Sequence, residues 1–369
     1  MSAPVHLTQS PAGGPGGERR SGLQQRTTTM LVTGFTAVLL FSLVALVPVP
    51  YAIMTPGPVR DTLGEAGGRP LIEVSGRETF PTDGALQLTT VSVFGGPGAS
   101  VDVIDVVVGW LDRSQAVLPV DQVFQPDATE EELEEQNAEE MVSSQENATA
   151  AALHELGITV PTTLNVVGFS PGSSAETVLE EGDVVLAVDG ETVPDLPQLR
   201  DRMQQVEPGG AVTVTVDRDG EPTDVEVTTL EGPEGQTLLG VLVDPVYDFP
   251  FDVTIQIEDI GGPSAGLMFA LGIVDKLTPG AMTDGETIAG TGTIDSSGQV
   301  GPIGGIRQKL VGARENGAEF FLAPGGNCEE VVGYEPSGLQ VVRVDTLAEA
   351  RDAVEAIADG DTVDLPSCG

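Results

Sequence analysis

A run of small residues that opens directly into an apolar segment constrains the fold of this chain more than any other feature. Residues 261–266 read Gly-Gly-Pro-Ser-Ala-Gly, and apolar residues then recur at helical spacing, at Leu267, Met268, Ala270, Leu271, Ile273 and Val274. The spacing predicts a buried helix that begins close to Ser264. Free amide groups and the positive end of the helix dipole would then face Ser264, as an oxyanion hole requires.

Lysine is rare in this chain. The 16 basic residues are 14 Arg and only two Lys, Lys276 and Lys309. Arginine keeps its proton near neutral pH, whereas a desolvated lysine can lose it. Lys309 falls on a helix predicted over residues 304–316, at the margin of an apolar stripe formed by Ile306, Leu310 and Ala313. Burial that lowers its pKa from about 10.4 to 7 or 8 disfavours the ammonium by roughly 3 to 5 kcal/mol. We therefore expect Ser264 and Lys309 to form a nucleophile and base pair.

Each member of this pair also has a simpler interpretation. A Gly-Pro-Ser-Ala-Gly run taken alone is more often a loop and a helix cap. A lone lysine beside an apolar stripe usually extends its ammonium to solvent. The two features together, each at the start of a predicted helix, favour a catalytic pair.

The two predicted helices belong to a longer set of short motifs. These are Gly262-Pro263-Ser264-Ala265-Gly266, residues 289–291, and Val300-Gly301-Pro302-Ile303-Gly304-Gly305-Ile306-Arg307-Gln308-Lys309-Leu310. With them, residues 253–354 resemble the proteolytic domain of the Lon family of Ser-Lys proteases. The resemblance implies that Ser264 is the nucleophile, Lys309 the general base and Thr291 a hydroxyl that holds the lysine. The backbone at Gly262, Pro263 and Ala265 is the expected oxyanion hole. Many members carry Asp where this chain has Gly261.

Residues 158–230 consist of short β-like runs separated by turns. The most specific stretch is Glu-Gly-Asp-Val-Val-Leu-Ala-Val-Asp-Gly at residues 181–190. The region resembles a PDZ domain of the type found in bacterial envelope proteases, and such domains bind a peptide as an added strand at a sheet edge. A purely structural or regulatory role is the alternative.

Residues 30–49 carry no charge and are long enough to cross a bilayer as a helix. Arginines precede this segment, and the next one follows only at Arg60. This pattern predicts a single-pass anchor in the cell membrane, with a cytoplasmic amino terminus and an extracytoplasmic catalytic domain. A cleaved signal peptide is the alternative.

These patterns predict an α+β chain of six parts. The parts are a disordered cytoplasmic tail (1–29), a transmembrane helix (30–50), a juxtamembrane segment with β-runs and an acidic helix (51–157), a PDZ-like domain (158–230), a Lon-type proteolytic α/β domain (240–358) and a C-terminal tail (359–369). The run at residues 85–94 resembles the opening strand of the proteolytic domain. Thr129 and Glu132 have the spacing of a capping box at the start of the acidic helix.

Charge and motif content exclude several partners. The formal net charge of −41 disfavours nucleic acid. The sequence has no Gly-Lys pair and so no P-loop, from which we expect no ATP. His154-Glu155 does not continue as a zinc motif, and neither a metal nor another cofactor is predicted. The expected partners are polypeptide substrates and the membrane. Rings are common among relatives of the proteolytic domain, so a homo-oligomer is a further expectation.

The two cysteines, Cys328 and Cys368, are a candidate disulfide. In an oxidising compartment a bridge would fasten the carboxy terminus to the catalytic domain and contribute about 2 to 4 kcal/mol. Two unpaired thiols are the alternative.

The function predicted from the sequence is an ATP-independent, membrane-anchored serine endopeptidase that acts on extracytoplasmic proteins. One alternative is a catalytically silent PDZ scaffold that binds envelope proteins. Another is a tail-specific periplasmic protease, which also combines a PDZ domain with Ser and Lys. The long separation between Ser264 and Lys309 and the Pro-Ile-Gly-Gly motif argue against the tail-specific class.

Overall fold

The computed structural model describes residues 19–45, 47–126, 128–233, 235–257 and 260–369. Its helices are α1 Arg19–Ala45, α2 Val103–Leu111, α3 Val120–Val123, α4 Glu130–Glu155, α5 Leu196–Gln204, α6 Gly266–Leu277, α7 Ile306–Glu315, α8 Cys328–Val331 and α9 Leu347–Ala358. Short 3₁₀ turns lie at Ala175–Thr177 and Gly325–Asn327. Most of the predicted cytoplasmic tail, residues 1–18, lies outside the described residues.

The strands of the first half of the chain are β1 Pro48–Val49, β2 Tyr51–Pro56, β3 Arg60–Asp61, β4 Glu65–Ala66, β5 Arg69–Pro70, β6 Ile72–Ser75, β7 Ala85–Leu88, β8 Val91–Phe94, β9 Val101–Asp102, β10 Ala116–Pro119, β11 Thr162–Phe169 and β12 Val184–Val188. Those of the second half are β13 Glu191–Thr192, β14 Ala211–Arg218, β15 Glu221–Thr228, β16 Leu230–Glu231, β17 Thr237–Leu238, β18 Val241–Tyr247, β19 Asp252–Ile255, β20 Thr287–Gly290, β21 Thr293–Ile294, β22 Val300–Gly301, β23 Phe320–Pro324 and β24 Gln340–Val344.

A five-stranded sheet with the order β24-β23-β20-β7-β3 is the centre of the predicted proteolytic domain, and we call this sheet and the helices packed on it the proteolytic core. The first four strands run parallel, and β3 pairs antiparallel with β7. β20 and β23 are short, mainly apolar runs that are largely buried, as expected for parallel strands covered on both faces. The structure thus places β7, from the predicted 51–157 segment, in the same sheet as strands from the carboxy-terminal part of the chain.

Helix α4 combines a solvated half with a buried half. The predicted capping box is confirmed: Thr129 N–H donates to Glu132 Oε2 over 2.9 Å, and Glu132 N–H donates to Thr129 Oγ1 over 3.3 Å. The glutamate-rich first turns are mainly exposed, whereas later residues join the core that contains α6, among them Met141, Ala148, Ala151 and Ala152. Because the buried residues of α4 begin at Met141, the helix packs on the proteolytic core from that residue onward.

The predicted PDZ-like domain contains an antiparallel sheet with the order β15-β14-β12-β11-β18, and β13 pairs with β12. Alternate residues of β14 point into a separate core that includes Val212, Val214 and Val216. Helix α5 contributes Leu199 and Met203 to this core. Since β18 is an edge strand at Val241–Tyr247, the sheet continues beyond residue 230.

The predicted transmembrane helix over residues 30–50 is wrong. Helix α1 ends at Ala45, and Pro48–Val49 pairs with Val101–Asp102, so the uncharged run is divided between a helix and a strand. The apolar part of α1 is therefore shorter than the roughly 20 residues that a bilayer requires. Within the described ranges, no helix is both long and apolar enough to cross a membrane. The predicted location, a single-pass protein of the cell membrane with a cytoplasmic amino terminus, depended on this helix and is therefore wrong as well.

A disulfide joins Cys328 at the start of α8 to Cys368 near the carboxy terminus, with the two Cα atoms 4.9 Å apart. Arg343 N–H in β24 also donates to the Pro366 carbonyl over 2.9 Å. The last residues of the chain are therefore held against the edge of the five-stranded sheet.

Candidate active site

Ser264 lies in a short loop, residues 261–265, that leads into α6; we call it the nucleophile loop. The helix begins at Gly266, two residues after the serine, and almost all of it is buried. The Ser264 carbonyl accepts hydrogen bonds from Thr291 Oγ1 and from Gly292 N–H, both over 2.9 Å. These contacts attach the backbone of the serine to the segment that follows β20.

Lys309 lies on the first turn of α7 and is only 1% exposed. Its Nζ donates to Ser264 Oγ over 2.7 Å and to Thr291 Oγ1 over 2.8 Å. The structure thus brings together two side chains that are 45 residues apart in the sequence. The remaining lysine, Lys276, lies near the end of α6 and is not part of this cluster.

Burial lowers the pKa of the Lys309 ammonium from 10.5 to about 7. Both oxygens that contact the amine are hydroxyls, and an uncharged oxygen compensates the loss of water around an ammonium less than a carboxylate would. A substantial fraction of Lys309 is consequently neutral near pH 7, even though the chain carries a formal net charge of −41. Local desolvation outweighs the field of distant, screened carboxylates.

Thr291 contacts both Lys309 and Ser264. Its hydroxyl is fully buried, accepts a hydrogen bond from Lys309 Nζ and donates its own proton to the Ser264 carbonyl. The Thr291 N–H also bonds to the Leu322 carbonyl of β23 over 3.2 Å. Thr291 therefore connects both candidate catalytic residues to the central sheet.

The three residues predicted for the oxyanion hole differ in what they can donate. Pro263 has no N–H and cannot stabilise an oxyanion through its backbone. The Gly262 N–H donates to the Asn137 carbonyl of α4 over 3.1 Å. In contrast, the N–H groups of Ser264 and Ala265 donate to no acceptor within the described ranges. Those two amides, next to the start of α6, are the available donors.

The loop conformation depends on a glycine. Gly262 has a φ of +82°, in the left-handed region that residues with a side chain rarely adopt. With this turn the chain moves from its contact with α4 into the first turn of α6. A side chain at position 262 would strain the segment that carries the nucleophile.

The contribution of α4 to this site was not predicted from the sequence. Ser144 Oγ donates to the Pro263 carbonyl over 3.0 Å, and Asn137 supplies the carbonyl that binds Gly262. The glutamates around Asn137 indicate only a solvated face. A signal was nevertheless present, because Ser144, Ala148 and Ala151 follow Met141 at helical spacing, the pattern of a helix face that packs on a core.

His154, the other titratable residue weighed as a catalytic or metal-binding group, has a different partner. His154, near the carboxy-terminal end of α4, has its Nδ1 2.9 Å from the Ser296 carbonyl. In the described part of the chain, no group of three or more His, Cys, Asp or Glu side chains could hold a metal ion.

Family models match two parts of the chain. Residues 140–229 match the model of the PDZ domain, and residues 258–354 match that of the Lon protease (S16) C-terminal proteolytic domain. The second match contains Ser264, Thr291 and Lys309. The chain therefore carries a serine peptidase domain of the Lon type together with a PDZ domain.

Similarity to individual proteins covers only part of the chain. Lon protease 2 of Bacillus subtilis (strain 168) is 33% identical over 110 residues, which are 28% of this chain and 19% of that protein. Lon protease of Mesomycoplasma hyopneumoniae (strain 232) is 33% identical over 96 residues, which are 25% of this chain and 11% of that protein. The matched segments thus span less than a fifth of these relatives.

Among solved structures, the PDZ domain of the SdrC-like protein from Listeria monocytogenes is 16% identical. The alignment covers 22% of this chain and 85% of that domain, with a TM-score of 0.21. The PDZ assignment accordingly rests on the family model.

Proposed function

We propose that this chain is an ATP-independent serine endopeptidase that cuts polypeptides with Ser264 as nucleophile and Lys309 as general base. The contact of 2.7 Å between Lys309 Nζ and Ser264 Oγ, in a site where burial lowers the pKa of the lysine to about 7, carries the proposal. An amine that is partly neutral at working pH can accept a proton from the serine hydroxyl.

Acylation follows from this geometry. The Ser264 hydroxyl passes its proton to neutral Lys309 while Oγ forms a bond to the scissile carbonyl carbon. The N–H groups of Ser264 and Ala265 stabilise the resulting oxyanion. The Lys309 ammonium then gives the proton to the amide nitrogen as the C–N bond breaks, and the amine product leaves.

Deacylation repeats the same proton transfers with water. Neutral Lys309 takes a proton from a water molecule, whose oxygen attacks the acyl carbon. When the bond to Oγ breaks, the ammonium returns its proton to Ser264. Throughout both steps, Thr291 keeps Nζ within reach of Oγ.

The proposal that no nucleotide is needed rests on the sequence, which contains no Gly-Lys pair and hence no P-loop. A peptidase without a nucleotide-driven unfolding step would act on flexible or unfolded segments. Polypeptides of this kind are the proposed substrates.

A peptide site in the PDZ domain is part of the proposal. A groove of about 480 Å³ lies between α5 and β18, and its apolar lining includes Leu199, Met203, Val241 and Val243. Because β18 is an edge strand, an extended peptide could pair with it while its side chains enter the groove. This site would bind substrate segments or regulate the peptidase.

The decisive experiment is cleavage of casein by the 369-residue chain without nucleotide, compared with the Ser264→Ala variant. We expect the wild type to release peptides and Ser264→Ala to release none, with no stimulation of the wild type by ATP. Cleavage by Ser264→Ala at the wild-type rate would contradict the proposal, whereas a dependence on ATP would overturn only the nucleotide-independent part. Size-exclusion chromatography of the same samples tests the predicted homo-oligomer.

A further inference from the structure

Helix α4 holds the nucleophile loop from one side through two hydrogen bonds. The Gly262 N–H donates to the Asn137 carbonyl over 3.1 Å, and the Ser144 hydroxyl donates to the Pro263 carbonyl over 3.0 Å. The two bonds are made by adjacent residues of the loop, immediately before Ser264. Asn137 and Ser144 are two helical turns apart and so lie on one face of α4.

The approach of α4 to the loop is close enough to exclude a side chain. A Cβ atom on Gly261 would lie 2.7 Å from the Asn137 Cβ, closer than real Cβ atoms come to other heavy atoms. Ser144 itself is only 4% exposed, so its hydroxyl is withdrawn from water. A buried hydroxyl needs a partner, and the Pro263 carbonyl is the acceptor that it has.

The Pro263 carbonyl and the Ser264 N–H belong to the same planar peptide group. No cis peptide bond occurs among the described residues, so the carbonyl and the N–H of this group point in opposite directions. A bond that directs the carbonyl toward α4 therefore directs the Ser264 N–H away from α4. Rotation of this peptide plane would reverse both directions and withdraw the amide from a developing oxyanion.

We propose that Ser144 is a positioning residue for the reaction: its hydroxyl fixes the Pro263–Ser264 peptide plane and thereby aims the Ser264 N–H at the oxyanion. The inference rests on the proposed peptidase function of Ser264. Among the described residues, no hydrogen bond joins Ser144 to Lys309 or to the Ser264 hydroxyl, so the bond between nucleophile and base does not depend on it. The Gly266 N–H also donates to the Pro263 carbonyl, over 3.3 Å, and Ser144 adds the shorter bond.

Helix α4 offers a matched control at the position immediately before Ser144. Ser143 is exposed, and its hydroxyl accepts a hydrogen bond from Asn147 Nδ2 over 3.4 Å within α4. Ser143→Ala and Ser144→Ala remove the same atom from adjacent residues of one helix. Only the second change removes a contact with the nucleophile loop.

The first test compares casein cleavage by the wild type, Ser143→Ala and Ser144→Ala in the 369-residue chain. Loss of one oxyanion donor typically lowers kcat by about 100- to 1,000-fold, and a donor that is only less well aimed should lose less. We expect Ser144→Ala to lower kcat by about 10- to 100-fold, with KM and the pH midpoint of kcat unchanged, and Ser143→Ala to match the wild type. Wild-type kcat for Ser144→Ala would overturn the proposal, as would a loss that only follows the amount of folded protein.

A second variant approaches the same contact from the loop. In Gly261→Ala the new methyl group must displace Asn137, which moves α4 away from the nucleophile loop without removing a hydroxyl. We expect kcat to fall again at unchanged pH midpoint. If Gly261→Ala and Ser144→Ala both keep full kcat while remaining folded, α4 has no positioning role.

A structural readout separates this inference from the peptidase proposal. In crystal structures of the wild type and Ser144→Ala, we expect the Pro263 carbonyl to face α4 only in the wild type. A carbonyl that keeps its direction in Ser144→Ala would overturn the positioning role, whether or not the chain cleaves casein. Failure of the wild type to cleave casein would instead contradict the peptidase proposal.

Discussion

The proteolytic core and the PDZ domain are assembled differently from the chain. All strands of the PDZ sheet lie between residues 162 and 247, whereas the core sheet joins β3 and β7 from before the PDZ domain to β20, β23 and β24 from after it. A contact between residues close in sequence costs little chain entropy to form, and a contact between residues far apart in sequence costs more. The PDZ sheet can therefore form from one continuous segment. The core sheet forms only when the segments before and after the PDZ domain pair with each other.

The two regions also accommodate buried ionisable groups differently. In the PDZ domain, the almost fully buried Asp183 side chain is paired with Arg218 over 2.6 Å, and this hydrogen bond helps to lower the pKa of the carboxyl. In the core, burial raises the pKa of Asp275 and lowers that of Lys309, so both shift toward their neutral forms. Paired charges are typical of a structural role, and an unpaired neutral amine is typical of a reactive site.

Replacement of the buried lysine should have the largest effect. Lys309→Met keeps an unbranched side chain but removes the base, and we expect casein cleavage to fall below detection. Because methionine fills the buried site with an unbranched side chain, as lysine does, the variant should remain folded. Lys276→Met, at the other lysine, is the control and should keep wild-type cleavage. Cleavage by Lys309→Met at more than a few per cent of the wild-type rate would exclude a lysine base.

The same variant should change the dependence of stability on pH. Because the pKa of Lys309 is about 7 in the folded chain and near 10.5 in a free lysine, the unfolded chain binds more protons between these values. The free energy of unfolding therefore rises with pH from about 7 to 10 in the wild type, apart from the contributions of other groups. In Lys309→Met this rise should be absent. Urea denaturation at pH 7 and pH 9 gives the free energy of unfolding at each pH. If this free energy changes by the same amount between the two pH values in both proteins, the burial of an amine with a lowered pKa is contradicted.

A core substitution in β7 tests whether distant strands close the proteolytic core. Leu86 is fully buried, and β7 pairs with β20 across the PDZ insertion. Leu86→Ala should lower the free energy of unfolding by about 2 to 5 kcal/mol. Hydrogen exchange should then increase in β20 and β23 as well as in β7. An increase confined to β7 would mean that this strand is peripheral.

The matched substitution in the PDZ domain should have a more local result. Leu164 in β11 is 1% exposed, and Leu164→Ala removes the same atoms as Leu86→Ala. We expect a similar local cost of about 2 to 5 kcal/mol. Faster hydrogen exchange should be confined to residues 162–247 and leave β20 and β23 protected. If protection of the core strands falls too, the two regions form one cooperative unit.

The parts that sequence reasoning predicted are those set by local patterns. Apolar spacing located the start of α6 and both ends of α7 to within two residues. The contacts of α4 were not predicted, because they depend on a helix crossing that joins Ser144 to a residue 119 positions away. The transmembrane prediction failed for a related reason, since hydropathy does not show that the end of an apolar run pairs as strand β1. The oxyanion prediction overlooked chemistry that the sequence already contained, because a proline has no N–H to donate.

The smallest effect on stability is expected when an ion pair between the two regions is removed. Arg200 in α5 donates to Asp295, in the turn after β21, over 2.6 Å, with side chains 54% and 27% exposed. Exposed pairs of this kind typically contribute between 0 and 1 kcal/mol, less at high salt. Arg200→Ala should therefore lower the free energy of unfolding by less than about 1 kcal/mol. Arg202→Ala is the control on the same helix, because Arg202 pairs with Glu191 inside the PDZ domain. A loss of several kcal/mol that only Arg200→Ala shows would mean that this single pair fastens the PDZ domain to the core, and the two regions would then be less independent than their chain order indicates.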